Sequence, residues 1–251
     1  GQAFRLTHAV HSDAIPGYCA EAELDFAFVD AATKLSDFKL IAMDMDSTLI
    51  SIECVDEIAD YCGKKAEVSA ITEATMRGEI TDFNESLRRR VALLAGLEAS
   101  VLEKVYTERL KLNPGAARLV QAAHFAGLKT LLVSGGFNFF TDRIQARLNL
   151  GYSRSNTLEI IDGKLTGNLL GPIVNAQIKR ETVQALSNEL GIGSDKVIVI
   201  GDGANDLEMM SIAGMSIAYH AKPAVAAQAN QVIEFGGLDT VLHWFEDARL
   251  R

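Results

Sequence analysis

Short runs of Val, Ile and Leu that end in Gly, Asp or Ser recur along this chain, and this pattern constrains the fold more than any other feature. These runs occupy residues 38–44, 129–136 and 196–203, and a fourth apolar run at 214–219 ends in Tyr. Runs this apolar are typical of parallel strands that are buried on both faces. Amphipathic helices are predicted between the later runs. The alternation predicts an α/β protein with a doubly wound, Rossmann-like parallel sheet.

The first two strands are separated by far more chain than the roughly 30 residues of a βαβ unit. Residues 52–112 carry apolar side chains at three- and four-residue steps, which predicts several amphipathic helices. We therefore expect a helical-bundle cap, residues 52–112, inserted just after the first strand. The α/β core then comprises residues 36–51 and 113–251, with Asn113 as the N-cap of the next helix. Residues 1–35 carry no clear pattern and are expected to be an N-terminal extension packed on the core or a remnant of an upstream domain.

A small β-hairpin interrupts the α/β alternation. Two short β-type runs flank Asp162-Gly163 in the stretch NTLEIIDGKLTGNLLG. That dipeptide favours tight hairpin turns, because its residues readily adopt positive φ. A helix is predicted to start at Lys179 after the hairpin and to end at Gly191.

The composition of the chain argues against several classes of partner. Its 251 residues carry a net charge of −9 with a pI near 5.1, so it lacks the positive field that nucleic acids and anionic membranes attract. We expect no membrane span, since no apolar run is long enough. Cys19, Cys54 and Cys62 form neither a disulfide framework nor a zinc spacing, which favours a cytoplasmic location. The oligomeric state is open, and a homodimer is one alternative.

Two carboxylates, Asp44 and Asp46, follow the first predicted strand in the stretch LIAMDMDSTLI. Successive side chains of a strand point to opposite faces, so residues two apart begin on the same side. Two carboxylates at that distance repel, and one pKa rises unless a cation lies between them. The pair can therefore bind Mg²⁺, or divide into a nucleophile and a general acid/base. Alone, such a pair is more often a solvated turn.

Polar groups at other strand ends favour the chemical interpretation. Ser134 and Gly135 end the second strand and offer a hydroxyl and an unhindered backbone N–H to a phosphate. Lys179 can place a positive charge on the same phosphate. A third group follows the strand at 196–203 and comprises Asp202, Asn205 and Asp206. Three polar residues there suggest metal coordination with hydrogen-bonding support, at the sheet edge where ligands of such folds bind.

The order D-x-D-S-T, S-G-G, Lys and G-D-G-x-N-D along one parallel sheet is specific. Together with the stretches DMDSTLISIECVDEIA, MRGEITDFNESLRRRV, VSGGF and GDGANDLEMM, it resembles the haloacid dehalogenase superfamily of aspartate-nucleophile phosphatases. The resemblance covers about residues 36–245. It implies an Mg²⁺-dependent phosphoric monoester hydrolase that acts on a small molecule.

The resemblance also assigns expected roles to the residues of these motifs. Asp44 attacks phosphorus to form an aspartyl-phosphate, and Asp46 protonates the leaving oxygen and then activates water. The expected metal ligands are the Asp44 carboxylate, the Asp46 backbone carbonyl and Asp202, with Asp206 behind them. The expected phosphate ligands are Ser134, the Gly135 N–H, Lys179 and Asn205.

Substrate choice is expected to lie in the cap. By resemblance, Glu53 contacts the substrate ammonium, Arg90 contacts its carboxylate and Phe83 shields the site. A guanidinium suits a carboxylate because its planar fork binds two oxygens. At most one or two of the arginines at 88–90 can reach a common ligand, since neighbours on a helix are about 100° apart. The implied substrate is O-phosphoserine, hydrolysed to serine and phosphate in the last step of serine biosynthesis.

Two alternatives stay open. A phosphatase of the same superfamily acting on another small ester, such as phosphohomoserine, would share every core motif, and only Glu53 and Arg90 speak against it. A non-enzymatic phosphoaspartate signalling domain of receiver type also uses acidic residues, Mg²⁺ and a lysine. It is disfavoured because its phosphorylated aspartate lies on a later strand and because it has no helical insertion.

Overall fold

The computed structural model describes residues 3–6, 13–76 and 79–248. Its strands are β1 (Leu40–Met43), β2 (Lys129–Phe137), β3 (Tyr152–Ile161), β4 (Lys164–Leu170), β5 (Val197–Gly201), β6 (Met215–Tyr219) and β7 (Gln231–Ile233). They form one sheet in the order β4-β3-β2-β1-β5-β6-β7. Neighbouring strands are parallel, apart from the antiparallel pair β3 and β4. The predicted doubly wound sheet with its hairpin is confirmed.

Helices connect and flank these strands. They are α1 (Ile15–Glu21), α2 (Cys54–Asp60), α3 (Lys65–Met76), α4 (Phe83–Ala92), α5 (Ser100–Lys104), α6 (Ala116–Phe125), α7 (Asn138–Leu148), α8 (Ala176–Glu189), α9 (Leu207–Met210) and α10 (Pro223–Ala226). Single turns at Met45–Leu49 and Val105–Arg109 and short 3₁₀ segments, including Ala204–Asp206 and Leu238–Trp244, complete the architecture. Within the described ranges, no helix is both long and apolar enough to cross a membrane.

Strand β1 is apolar throughout because both of its faces are buried. Ile41 and Met43 belong to a core cluster that also includes residues of α6 and α7. Leu40 and Ala42 belong to a second cluster, with residues of α8 and α9. Side chains alternate between the faces of a strand, so helices on both faces require apolar residues at every position.

The long segment between β1 and β2 contains helices α2 to α5, as its periodicity predicts. The chain leaves and re-enters the core side by side. The Ser51 N–H donates to the Lys111 carbonyl at 2.9 Å, and the Asn113 N–H donates to the Leu49 carbonyl at 3.0 Å. The insertion is therefore attached at the carboxyl end of β1, next to Asp44.

Two predicted helix starts are wrong in detail. Helix α6 begins at Ala116 with Gly115 as its N-cap, and the Asn113 side chain donates to carbonyls of the preceding loop instead. Helix α8 begins before Lys179, since the Asn175 side chain accepts from the Ile178 N–H at 3.0 Å and caps the helix. An asparagine amide can serve either use, and local sequence does not distinguish them.

The hairpin ties the insertion to the sheet. Asp162 and Gly163 have φ of 49° and 77°, as the predicted tight turn requires. On the outer side of β4, the Leu165 N–H donates to the Leu97 carbonyl and the Gly96 N–H donates to the Leu165 carbonyl, both at 2.8 Å. Pairing of this kind occupies backbone groups that an edge strand otherwise exposes.

The described part of the N-terminal segment packs against the end of the core. The Arg5 guanidinium donates to the carbonyls of His243 and Trp244. The Asp25 carboxylate accepts from the backbone N–H groups of residues 234–236 at 2.7 to 3.1 Å. These contacts connect the two ends of the described chain.

Gly167 lies where the hairpin packs against the insertion, and its substitution tests that contact. Its φ is +87°, and an added Cβ would lie 3.0 Å from the Ala95 Cβ and 3.2 Å from the Ala92 Cα. Gly163 also has positive φ, +77°, but its added Cβ would meet nothing within 4 Å. We expect Gly163→Ala to lower the free energy of unfolding by about 1–2 kcal/mol. Gly167→Ala should lower it by about 1–3 kcal/mol more, because overpacking adds to backbone strain.

Denaturant unfolding of both variants measures this difference, with Gly163→Ala as the matched control for backbone strain. Equal losses in the two variants would show that the close contact at Gly167 is absent.

Candidate active site

The predicted site residues gather at one edge of the sheet. Strand β1 lies between β2 and β5, and all three run in the same direction. Asp44 follows β1, Asp202 follows β5, and the S-G-G stretch closes β2. Parallel strands bring their carboxyl ends to the same edge, so residues far apart in the chain become neighbours there.

Three carboxylates and one lysine form the centre of the site. Oxygens of Asp44, Asp202 and Asp206 lie within 4.8 Å of one another. The Lys179 Nζ lies 2.9 Å from the Asp44 Oδ2 and 2.8 Å from the Asp206 Oδ1. The side chains of Lys179 and Asp206 are completely buried. One positive charge faces three negative ones, and this oxygen-rich set suits a hard divalent cation.

The surplus of negative charge shifts the pKa of these carboxyls. Burial, reinforced by the Asp206 charge, raises the pKa of Asp44 well above its ordinary value. Burial and the same neighbour raise the pKa of Asp202 to about 7. Lys179 alone therefore does not keep the cluster ionised, and a cation within the triad would favour its ionised form.

Asp206 is held by the fold on both of its oxygens. Its Oδ1 accepts from Lys179, and its Oδ2 accepts from the backbone N–H groups of Asp202 and Gly203, each at 3.1 Å. A Cβ at Gly201 would lie 2.4 Å from the Asp206 Oδ2, so only glycine fits there. With its oxygens engaged, Asp206 suits the expected supporting position better than direct coordination.

Asp46 occupies a different environment from Asp44. Its Oδ2 accepts from the Cys54 N–H at 3.4 Å, whereas its buried Oδ1 has no hydrogen-bond partner among the described residues. Burial, and secondly the Glu53 charge, raises the pKa of Asp46 to about 8. A carboxyl that holds its proton near neutral pH can donate it to a leaving group.

The S-G-G stretch packs against the acidic pair. The Gly136 N–H donates to the Ser134 Oγ at 2.8 Å. A Cβ at Gly136 would lie 2.8 Å from the Met45 Cε and 3.1 Å from the Asp46 Oδ2. The end of β2 therefore approaches Asp46 more closely than any larger residue would allow.

Gly135 lies beneath an aromatic ring of the insertion. A Cβ at Gly135 would lie 3.4 Å from the Phe83 Cζ, so the Phe83 ring packs over the S-G-G stretch. The buried Asn156 amide steadies this stretch, since its Nδ2 donates to the Gly135 carbonyl and its Oδ1 accepts from the Val174 N–H, both at 2.8 Å. Asn156 thus connects the end of β2 with the segment that leads into α8.

Of the three consecutive arginines, Arg90 faces the site. Arg88 and Arg89 are exposed, and Arg89 pairs with Glu85. The Arg90 Nε is buried and has no hydrogen-bond partner in the part of the chain that the structure describes. Burial lowers the pKa of Arg90, while the charges of Glu53, Asp56 and Asp46 oppose this shift. The Arg90 guanidinium on α4 therefore faces the carboxylates of Glu53, Asp56 and Asp46.

Asn205 is not joined to the predicted phosphate ligands. It lies on the turn Ala204–Asp206, and its Oδ1 would contact a Cβ at Gly203. In the described ranges, its side chain makes no hydrogen bond to Ser134 or Lys179. The structure gathers the carboxylates of Asp44, Asp202 and Asp206, two of which bind Lys179. Asn205 shares only the loop that carries Asp202 and Asp206.

Sequence reasoning missed several residues that support the site. The Thr48 hydroxyl donates to the Asp202 Oδ1 at 2.7 Å, and Thr48 is completely buried. Its position in D-x-D-S-T, shortly after the acidic pair, could have indicated this role. The sequence indicates Asn156 only weakly, as a polar residue within a predicted β-strand. Asn113, predicted as an N-cap, instead donates hydrogen bonds to the carbonyls of Ser47, Thr48 and Ile50.

Comparisons with known proteins agree with this geometry. The family model described as haloacid dehalogenase-like hydrolase matches residues 41–211. A phosphoserine phosphatase of Polaromonas sp. is 61% identical over 83% of this chain and 90% of its own. A crystal structure of a probable phosphoserine phosphatase from Vibrio cholerae, in unliganded form, covers 94% of this chain and 73% of its own at 41% identity, with a TM-score of 0.83.

A structure of a phospho-aspartyl intermediate analogue of phosphoserine phosphatase covers 83% of this chain and 99% of its own at 36% identity, with a TM-score of 0.78. This chain belongs to the haloacid dehalogenase-like hydrolases. The predicted family is confirmed.

The raised pKa values predict how stability depends on pH. The pKa of Asp46 is raised to about 8 and that of Asp202 to about 7, from 3.8 for an ordinary aspartate. The folded state then binds protons that the unfolded state releases, so the free energy of unfolding falls as pH rises. Without divalent cations, we expect the melting temperature to fall between about pH 5 and about pH 8.

Thermal melts in a chelating buffer measure this slope. Asp202→Asn removes one of the titrating groups and should make the slope shallower. A melting temperature that rises or stays level over the same range would contradict the raised pKa values.

Proposed function

We propose that this protein is an Mg²⁺-dependent phosphatase that hydrolyses O-phosphoserine to serine and phosphate. The observation that carries the proposal is that Asp44 and Asp46, neighbours in one motif, lie in different electrostatic environments. Asp44 lies in contact with Lys179 among acidic residues. Asp46 lies near two groups whose charges are opposite to each other, the Glu53 carboxylate and the Arg90 guanidinium. The first environment suits a phosphoryl group, and the second suits an amino acid that carries both an ammonium and a carboxylate.

Asp44 serves as the nucleophile in this proposal. Its Oδ1 accepts from the Met45 N–H at 2.7 Å and its Oδ2 lies against Lys179, so the carboxylate is fixed in orientation. Attack on phosphorus forms the bond to Asp44 and breaks the bond to the serine oxygen. The reaction needs positioning and neutralisation of charge more than covalent chemistry from the protein.

Asp46 handles the proton. With a pKa near 8 it holds a proton at neutral pH and gives it to the departing serine oxygen. The resulting carboxylate then takes a proton from the water that hydrolyses the aspartyl-phosphate. The close approach of Gly136 keeps the end of β2 beside this carboxyl.

Positive groups neutralise the phosphoryl oxygens. We assign Lys179 to them, together with the Ser134 hydroxyl, the Gly135 N–H and Asn205. Asp44, Asp202 and the Asp46 carbonyl would hold Mg²⁺, with Asp206 behind them. When bound, Mg²⁺ supplies positive charge at the transferring phosphoryl group.

The insertion provides recognition of the amino acid. Glu53 would bind the substrate ammonium and Arg90 its carboxylate, while Phe83 covers the site from above Gly135. We accordingly propose residues 52–112 as a cap over a catalytic core of 36–51 and 113–251, with residues 1–35 as an extension. The cytoplasmic location, the homodimer and the place in serine biosynthesis stay predictions.

Phosphate release from a panel of esters tests the activity. With Mg²⁺, we expect O-phosphoserine to be hydrolysed far faster than a monoester that lacks both the amino and the carboxyl group. Asp44→Asn should bind O-phosphoserine and show neither turnover nor hydroxylamine-sensitive phosphorylation, since an amide is a poor nucleophile. Comparable turnover of the simple monoester would overturn the substrate, and turnover by Asp44→Asn would overturn the nucleophile.

Metal binding can be tested without turnover. Mg²⁺ at a hundred times its dissociation constant should stabilise the folded protein by about 2.7 kcal/mol. We expect Asp202→Asn to lose most of this stabilisation. Asp195→Asn is the matched control, because the Asp195 side chain is 74% exposed and lies outside the site. Thermal melting of each variant with Mg²⁺ and with chelator measures this stabilisation. If Mg²⁺ stabilised both variants equally, the metal would bind elsewhere.

A further inference from the structure

Ser47 adopts a backbone conformation that residues other than glycine rarely adopt. Its φ is 56° and its ψ is −8°, in the left-handed region, where the Cβ crowds the backbone. Such a conformation persists when the surrounding structure over-determines it, and it is frequent at functional sites. Ser47 directly follows Asp46 and precedes the insertion.

Several hydrogen bonds hold this loop in place. The Ser47 N–H donates to the Ile52 carbonyl at 3.2 Å. The Asn113 Nδ2 lies 3.2, 2.7 and 3.1 Å from the carbonyls of Ser47, Thr48 and Ile50. The loop is thus pinned to the point where the chain returns from the insertion. The direction of the Ser47 Cα–Cβ bond is fixed as a result.

The Ser47 hydroxyl points at Glu53. The Ser47 Oγ donates to the Glu53 Oε1 at 2.5 Å, a short bond of the kind that a carboxylate accepts from a hydroxyl. The Glu53 Oε2 accepts no hydrogen bond from the residues that the structure describes. One carboxylate oxygen is held, and the other is available to a ligand.

Charges around Glu53 explain why holding it matters. The carboxylates of Asp56 and Asp46 lie near it, and so does the Arg90 guanidinium. Glu53 and Arg90, both in the described part of the chain, make no direct ion pair. If they paired with each other, neither would be available to a substrate that carries both charges.

We propose that Ser47 is a positioning residue that sets specificity for the substrate amine. Its hydroxyl holds Glu53 away from Arg90, so that Glu53 receives an ammonium while Arg90 stays available to a carboxylate. This inference rests on the proposed function, because it concerns the same substrate.

Two substrates and two variants test the inference. The substrates are O-phosphoserine and its analogue 3-phosphooxypropanoate, in which hydrogen replaces the ammonium. Ser47→Gly removes the hydroxyl and tolerates positive φ, whereas Ser47→Ala removes the hydroxyl and keeps the strain. The readout is the ratio of kcat/KM for O-phosphoserine to that for the analogue.

We expect both variants to reduce this ratio about tenfold, the loss typical of one hydrogen bond to a charged group, with the change mainly in the KM of O-phosphoserine. In a Glu53→Gln background, where Glu53 no longer carries charge, Ser47→Gly should not reduce the ratio further. Melting temperatures report separately on backbone strain, which Ser47→Ala shares with the wild type and Ser47→Gly relieves.

A role limited to the backbone predicts a different result. Ser47→Ala, which keeps the strain of the wild-type serine, and Ser47→Gly would then both keep the wild-type ratio, which would overturn the inference. A wild-type protein that hydrolyses both substrates equally would instead reject the proposed substrate, so the two failures are distinguishable.

Discussion

The salt bridges of the buried Lys179 to Asp44 and Asp206 are the interaction on which the rest of the site depends. They join the end of β1, the start of α8 and the turn after β5 through a single ammonium group at 2.9 and 2.8 Å. Burial disfavours that charge, but the carboxylates of Asp206 and Asp44 outweigh burial and raise the pKa of Lys179. A buried lysine without such partners would be strongly destabilising. Folding and the proposed phosphate chemistry therefore use the same contact.

The position of the insertion follows from the same edge of the sheet. It leaves the core directly after the acidic pair, so the first residues beyond the loop, including Glu53, lie beside Asp46. Its later part is held by the hairpin, where Leu165 pairs with residues 96 and 97 and Gly167 packs against α4. Helix α4 carries both Phe83 and Arg90. The small hairpin thus orients the helix that is proposed to bind substrate, which gives this irregular part of the sheet a functional reason.

Much of this arrangement could be predicted from the sequence, because it depends on local patterns and one topological rule. Apolar runs indicated four of the strands, Asp162-Gly163 indicated the hairpin, and the common edge of parallel strands placed Asp44 near Asp202. Contacts between distant polar residues could not be predicted. Thr48 bonds Asp202, and Asn156 bridges Gly135 and Val174, and nothing in the local sequence names these partners. Strand β7, with three residues, was too short to show a pattern.

Asp44 and Asp46 show how two identical side chains, two positions apart, acquire different chemistry. Without a metal, burial raises the pKa of both. Asp44, however, shares its surroundings with Asp202 and Asp206, where a cation held by the triad would act directly on its carboxylate. Asp46 accepts a hydrogen bond from the Cys54 N–H and lies near Glu53, and its Oδ1 has no hydrogen-bond partner among the described residues, whereas Lys179 bonds Asp44 and Asp206. A cation would therefore ionise the first carboxyl far more than the second. Since a nucleophile must be ionised and an acid must be protonated, the separation of these environments by the fold is what would allow one short motif to supply both of the proposed roles.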